Sequence, residues 1–223
     1  MPKKIADIRR AEIVQALHDA IRLGGVSLPS YDQIAREGDM SRQLVRHYYR
    51  DPEQMAVDLC DHLAETHREL LARGVLHVDR ADRLAVLLDF HFGLLAEKGL
   101  AKPEDDAVHD ALLAISGRSA RVRERLREHH GALRDALTDE IGTAHPELAA
   151  EGCRELADLT VAQLHGHWRM RATLGMAVSD RAARDAIDRL IASYLAASEA
   201  REDGDGVPSS ERTQSGTMEP AGP

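Results

Sequence analysis

The chain has 223 residues and a net charge of −9, with 43% apolar residues but only 3% aromatic ones. That length supports a real buried core, and a composition rich in Ala, Leu, Arg and Glu but poor in aromatics favours helix over sheet, so an all-α fold is expected. Cys60 and Cys153 lie far apart without a CxxC neighbour, which excludes a disulfide framework and a zinc ribbon. No run approaches the roughly 18 apolar residues of a membrane span, and Met1–Asp7 lacks a signal-peptide core, so a cytoplasmic protein without membrane contact is expected.

The first helix is read over Lys4–Leu23, where Ile5, Ile8, Ile13, Ala16, Leu17, Ala20 and Ile21 recur mostly at threes and fours and Gly24-Gly25 ends the stripe. Ser30 offers a capping oxygen for a short helix over Tyr31–Glu37, and Gly38-Asp39 breaks it. Ser41 caps the next, from Arg42 to about Tyr49. Asp51-Pro52-Glu53 then opens another: a capping residue, proline at the first helical position, and an acid near the positive helix end. Further helices are predicted over Pro52–Arg73, Arg80–Lys98, Glu104–Ile115, Ser119–Thr143, Pro146–Leu174 and Asp180–Ala197. Residues 201–223, rich in Gly and Pro with hardly an aliphatic side chain, are expected to be a disordered tail.

Residues 30–48 have the parts of a helix-turn-helix. Ile34 supplies a core residue, Ala35 the small contact residue, Gly38-Asp39 the turn, Met40 a plug beneath it, and Leu44 or Val45 the inner face of the second helix. Ser41, Arg42, Gln43, Arg46 and His47 are left facing outward or sideways, which is chemistry for phosphates and base edges. The charge distribution agrees. Residues 1–55 carry nine Lys/Arg and eight Asp/Glu, a net +1, and the rest of the chain carries −10, so only the N-terminal quarter faces phosphate comfortably.

Three stretches, Ser30-Tyr31-Asp32-Gln33-Ile34-Ala35, Met40 to Tyr49, and Asp51-Pro52-Glu53-Gln54-Met55, resemble the signature of the TetR family of one-component transcription regulators, over about residues 9–58. The resemblance implies a DNA-binding domain at 1–51 and a helical effector-binding and dimerisation domain at 52–200. It implies that the helix matching Ser41–Tyr48 enters the major groove of a double-stranded operator, and that flanking hydroxyl and basic residues, Lys4, Ser30, Tyr31, Tyr48 and Arg50 among them, grip the backbone. It also implies a two-fold homodimer through the last two long helices and a small-molecule effector that releases a repressor from its operator. Asp39 stands where the family usually has glycine, so the turn is expected to hold either Asp39 or Gly38 at positive φ; Pro52 stands where lysine is frequent and Arg46 where tyrosine is, so phosphate contacts are expected to shift toward Arg46 and Arg50. Gln163 to Arg171 resembles the matching helix of choline-responsive repressors of this family.

Cys60, Phe90, His91, His129 and Trp168 interrupt or flank apolar helical stripes and are the candidates for lining an effector pocket, with plain core or dimer contact as the alternative at each. The pairs His62/His67, His129/His130 and His165/His167 lack the i, i+4 spacing that places two metal ligands on one helix face, so neither metal nor cofactor is expected. A helical di-iron enzyme would need Glu-x-x-His pairs, and none occurs; nor does a phosphate loop, a nucleotide fingerprint or a nucleophile elbow. An adaptor without DNA binding would leave the outward Arg and Gln of the second motif helix unexplained.

Overall fold

The computed structural model describes residues 5–24, 28–176 and 178–205, and among them it has nine α-helices, two short 3-10 turns and no strand. The first three helices are α1 (Ile5–Gly24), α2 (Tyr31–Glu37) and α3 (Arg42–Tyr48). On α1 the buried face consists of Ile13, Val14, Ala16, Leu17 and Ile21. Ile5 and Ile8, which the sequence pattern places on the same stripe, are 77% and 45% exposed, because burial on α1 begins only at Ile13. The seven-residue α2 and α3 are far too short to persist alone. Packing and caps hold them: Ile34 and Ala35 of α2 and Val45 of α3 are buried against α1, each large apolar side chain contributing about 1.5–3 kcal/mol.

Next comes α4 (Pro52–Val75), begun by the Asp51 carboxylate accepting from the Glu53 amide at 2.9 Å, with Pro52 in the first turn where its missing N–H costs nothing. Its first half buries Met55, Ala56, Leu59 and Cys60 in the core beneath α1–α3. That core continues into α6 (Asp106–Ser116) through Val108, Ala111 and Leu112, and into the start of α7 (Ala120–Ala144) through Val122 and Leu126. α1–α3 and the helices behind them therefore share buried surface. A second core joins α5 (Arg83–His91), the far end of α7, α8 (Ala150–Leu174) and α9 (Asp180–Asp205) around Leu88, Phe92, Leu137, Leu156 and Ile187.

Two sequence expectations need correction. The helix expected over Arg80–Lys98 is a 3-10 turn at Arg80–Asp82, then α5, then a break at Phe92-Gly93 and a second 3-10 turn at Ala96–Lys98. Gly93 takes φ +72°, and a side chain there would begin 3.4 Å from the Trp168 ring, so the break is shaped by α8. The Trp168 indole N–H donates to the His91 carbonyl at 2.8 Å, satisfying an acceptor in the last turn of α5. The expected tail begins too early, since α9 runs on through residues 201–205; Arg and Glu are good helix formers. The remainder, 206–223, lies outside the described residues.

Candidate functional site

The sharpest local geometry is the turn between α2 and α3. Ser30 and Gln33 form a reciprocal capping box at the start of α2, the Gln33 amide donating to Ser30 Oγ (3.3 Å) and the Ser30 amide to Gln33 Oε1 (2.8 Å). At the other end the Gly38 amide returns to the Ile34 carbonyl and the Met40 amide to the Ala35 carbonyl. Asp39 carries the positive φ, 47°, so it stands in for the glycine usual in the motif; Asp tolerates this region better than most residues. Gly38 serves a different need. A Cβ there would lie 2.8 Å from the Ala16 Cβ and 2.4 Å from the Met40 methyl, so α1 and the turn approach too closely for any side chain.

α3 then starts on Ser41, whose hydroxyl accepts from the Leu44 amide at 3.1 Å. Val45 is the fully buried anchor and Leu44 is half-buried, which settles the choice of inner-face residue. Ser41, Arg42, Gln43, Arg46, His47 and Arg50 are all exposed, and Tyr48 is half-buried with its ring edge-on to His47. Arg42 reaches back to Asp32 on α2 (3.3 Å), an exposed pair that is easily exchanged for a phosphate. Ser30 uses its hydroxyl within the capping box, and the Tyr31 hydroxyl donates to the Tyr49 carbonyl at 3.0 Å, tying the start of α2 to the end of α3. Both residues thus hold the motif's shape. Lys4 lies outside the described residues.

Behind α3, Tyr49 is buried and donates to Asp58 of α4 at 2.6 Å, with the Arg10 guanidinium over its ring; burial and the Asp58 contact raise its pKa. A second joint was not legible in the sequence. Arg121, in the first turn of α7, pairs with Asp51 (2.7 Å) and Glu53 (3.3 Å) and donates to Gln54, while Ser119 donates to Glu53. Ser119 also caps α7 by accepting from the Val122 amide. One surface clasp therefore links the start of α7 to the N-cap and first turn of α4.

The pocket candidates separate into two groups. Phe90, His91 and Trp168 converge: His67 stacks edge-on against Phe90, its Nε2 lies 2.8 Å from Asp105, and Lys102 sits 4.2 Å over the Trp168 ring. His91 is buried with its Nε2 unpartnered among the described residues, and burial lowers its pKa to about 3. Cys60 instead belongs to the core under α1–α3, where burial raises its thiol pKa to about 12. His129 faces Asp61 of α4 at 3.1 Å and lines an open cleft of about 480 Å³ with Arg10, Tyr49, Asp58 and His62. Phe90, His91 and Trp168 do not line the cleft that His129 lines. His109, His130 and His165, which share no helix, meet from three different helices.

No family model matches the sequence, and no curated protein matches it. Solved structures do. The fold is similar to that of a TetR transcription regulator from Haloarcula marismortui ATCC 43049 (TM-score 0.70, 18% identity, 84% of this chain and 98% of that one). It is similar to a TetR-family transcriptional regulator from Agrobacterium tumefaciens (TM-score 0.66, 18% identity, 82% and 98%). A regulator from Saccharomonospora viridis, solved in complex with choline, is similar over 83% of this chain and 96% of its own (TM-score 0.66, 16% identity). What these proteins share with this chain is the all-α fold of TetR-family regulators, a helix-turn-helix followed by a larger helical domain.

Proposed function

We propose that this chain is a TetR-family transcription regulator and not an enzyme, reading an operator in double-stranded DNA with α3. The observation that carries the reading is the exposed face of α3: Ser41, Arg42, Gln43, Arg46 and His47 stand together on a helix fixed by two caps and a turn with an obligatory close contact. Arginine suits guanine edges or phosphates and glutamine suits adenine. Retrieval of genomic fragments by the purified protein, followed by gel-shift titration, tests it. Gln43→Ala relaxes base preference by about 1–3 kcal/mol at one position, whereas Arg46→Ala weakens all sequences evenly and flattens the salt dependence. Unchanged binding by both folded variants would sink the assignment.

One seven-residue helix offers few base contacts, so two protomers reading half-sites about 34–36 Å apart are part of the proposal. α8 supports it with exposed Leu159, Met170 and Leu174, an apolar set suited to a two-fold contact with α8 and α9 of a second copy. Light scattering at micromolar concentration should give a dimer. The helical domain takes an effector between α5 and α8, near Phe90, His91 and Trp168. A displacement of α7 would reach α4 through the Arg121 clasp, and a coupling of about 1–3 kcal/mol changes operator affinity 5- to 150-fold. Among the described residues no helix is long and apolar enough to cross a membrane.

A further inference from the structure

One cluster in the helical domain belongs neither to α1–α3 nor to the ring contacts of Trp168, with His165 neighbouring His91. His109 on α6, His130 on α7 and His165 on α8 bring their rings to centroid separations of 5.2, 4.4 and 4.8 Å, His109 and His165 stacking almost parallel. One ring nitrogen from each lies within 4.8 Å of the other two. All three residues are half-buried. His109 Nε2 and His165 Nε2 are buried with no hydrogen-bond partner among the described residues. His130 Nδ1 lies 2.6 Å from the Leu126 carbonyl oxygen. A carbonyl only accepts, so that nitrogen carries the proton and Nε2 keeps its lone pair, the arrangement that orients histidine ligands in metal sites.

We infer that His109, His130 and His165 bind one divalent transition-metal ion of the zinc, cobalt, nickel or copper type, tying α6, α7 and α8 at one point. Imidazole nitrogen suits these ions, whereas magnesium and calcium require oxygen ligands. At metal–nitrogen distances of about 2.0–2.1 Å, tetrahedral ligand atoms stand about 3.4 Å apart, so the three rings need close by only an ångström or so. A fourth position remains for water or an added ligand, as in three-histidine sites. Neither cysteine competes, since Cys60 and Cys153 lie in the two apolar cores.

Titration of the chelator-treated full chain with Co(II) should give one equivalent of visible d–d absorption per protomer, displaced by Zn(II), and either ion should raise the melting temperature by mass action. His130→Gln and His165→Gln should each weaken Co(II) binding at least about tenfold, and His77→Gln, at an exposed site away from the cluster, should leave it unchanged. Because a variant in the bundle interior can fail to fold, imidazole nitrogen NMR of the unmutated protein supplies an independent reading: three histidines should shift together at one equivalent of Zn(II). Absence of Co(II) absorption, binding untouched by both cluster substitutions, or shifts confined to other histidines would each overturn the proposal. None of these measurements involves DNA, so their failure leaves the operator-reading function standing.

Discussion

The helix-turn-helix head and the helical domain behind it use polar side chains in opposite ways. In the head, buried positions are apolar and the polar groups of α3 point to solvent, Arg42 pairing with Asp32 at the surface. In the body, His91, Asp105, Asp110 and His167 are turned inward among apolar helices. A polar group in solvent costs nothing until a partner arrives, whereas a buried one must be satisfied by the fold or by something bound within it. The contrast teaches where each region can be broken: the head through its shape, the body through its charge.

The largest effect is expected at Gly38. Gly38→Val forces a side chain against Ala16, which cannot rotate away, so overpacking costs about 1–3 kcal/mol and tilts α3 relative to α1. Gel shift should then show DNA binding lost, while far-UV circular dichroism still reports a helical protein. Retention of full DNA affinity would mean that the close α1 contact does not set the pose of α3.

A smaller and pH-dependent effect is expected in the body. His91 faces His67, Lys102, Asp105 and His165, and burial favours its neutral form, lowering its pKa from 6.5 to about 3. Below pH 6.5 the unfolded chain takes up this proton and the folded one does not. The contribution is therefore complete above pH 6.5 and is lost as pH falls toward 3, by roughly 1 kcal/mol per pH unit once well below 6.5. His91→Leu should give a shallower decline of melting temperature over that window. Parallel profiles for the two proteins would show that His91 does not stay neutral in the folded chain.

The smallest effect on stability is expected at the clasp. Arg121 and Asp51 are exposed, so Arg121→Ala should barely move the melting temperature. It should nevertheless loosen the junction of head and body, seen as faster amide hydrogen exchange at Asp51–Gln54 with α8 unchanged. Unaltered exchange there would relocate the communication to the shared core of Ala111, Leu112 and Val122.

The same contrast explains what the sequence disclosed. Ser30, Gln33, Gly38, Asp39 and Ser41 act on neighbours within a few residues, so their spacing alone predicts the caps and the turn, and with them the exposed face of α3. The body is decided by long-range contacts. The Leu84, Leu88, His91, Leu95 stripe continues through Gly93 as if one helix ran on, and only Trp168, far along the chain, shows why it breaks. Cys60 sits on an apolar stripe that could face either core, and its burial under the head follows from where α4 begins. The histidine cluster draws one residue from each of three helices, a pattern that no within-helix periodicity reveals.

The break at Gly93 has an optical consequence. Trp168 is the sole tryptophan, and its indole is clamped between the His91 carbonyl and the cationic groups of Lys102 and Arg171, whereas the aromatics of the head are Tyr31, Tyr48 and Tyr49. Emission excited selectively from tryptophan therefore originates wholly in the body. The molecule carries its own unlabelled reporter in the body, and, on the proposed function, a change in that emission on adding operator DNA would report on the body and not on α3.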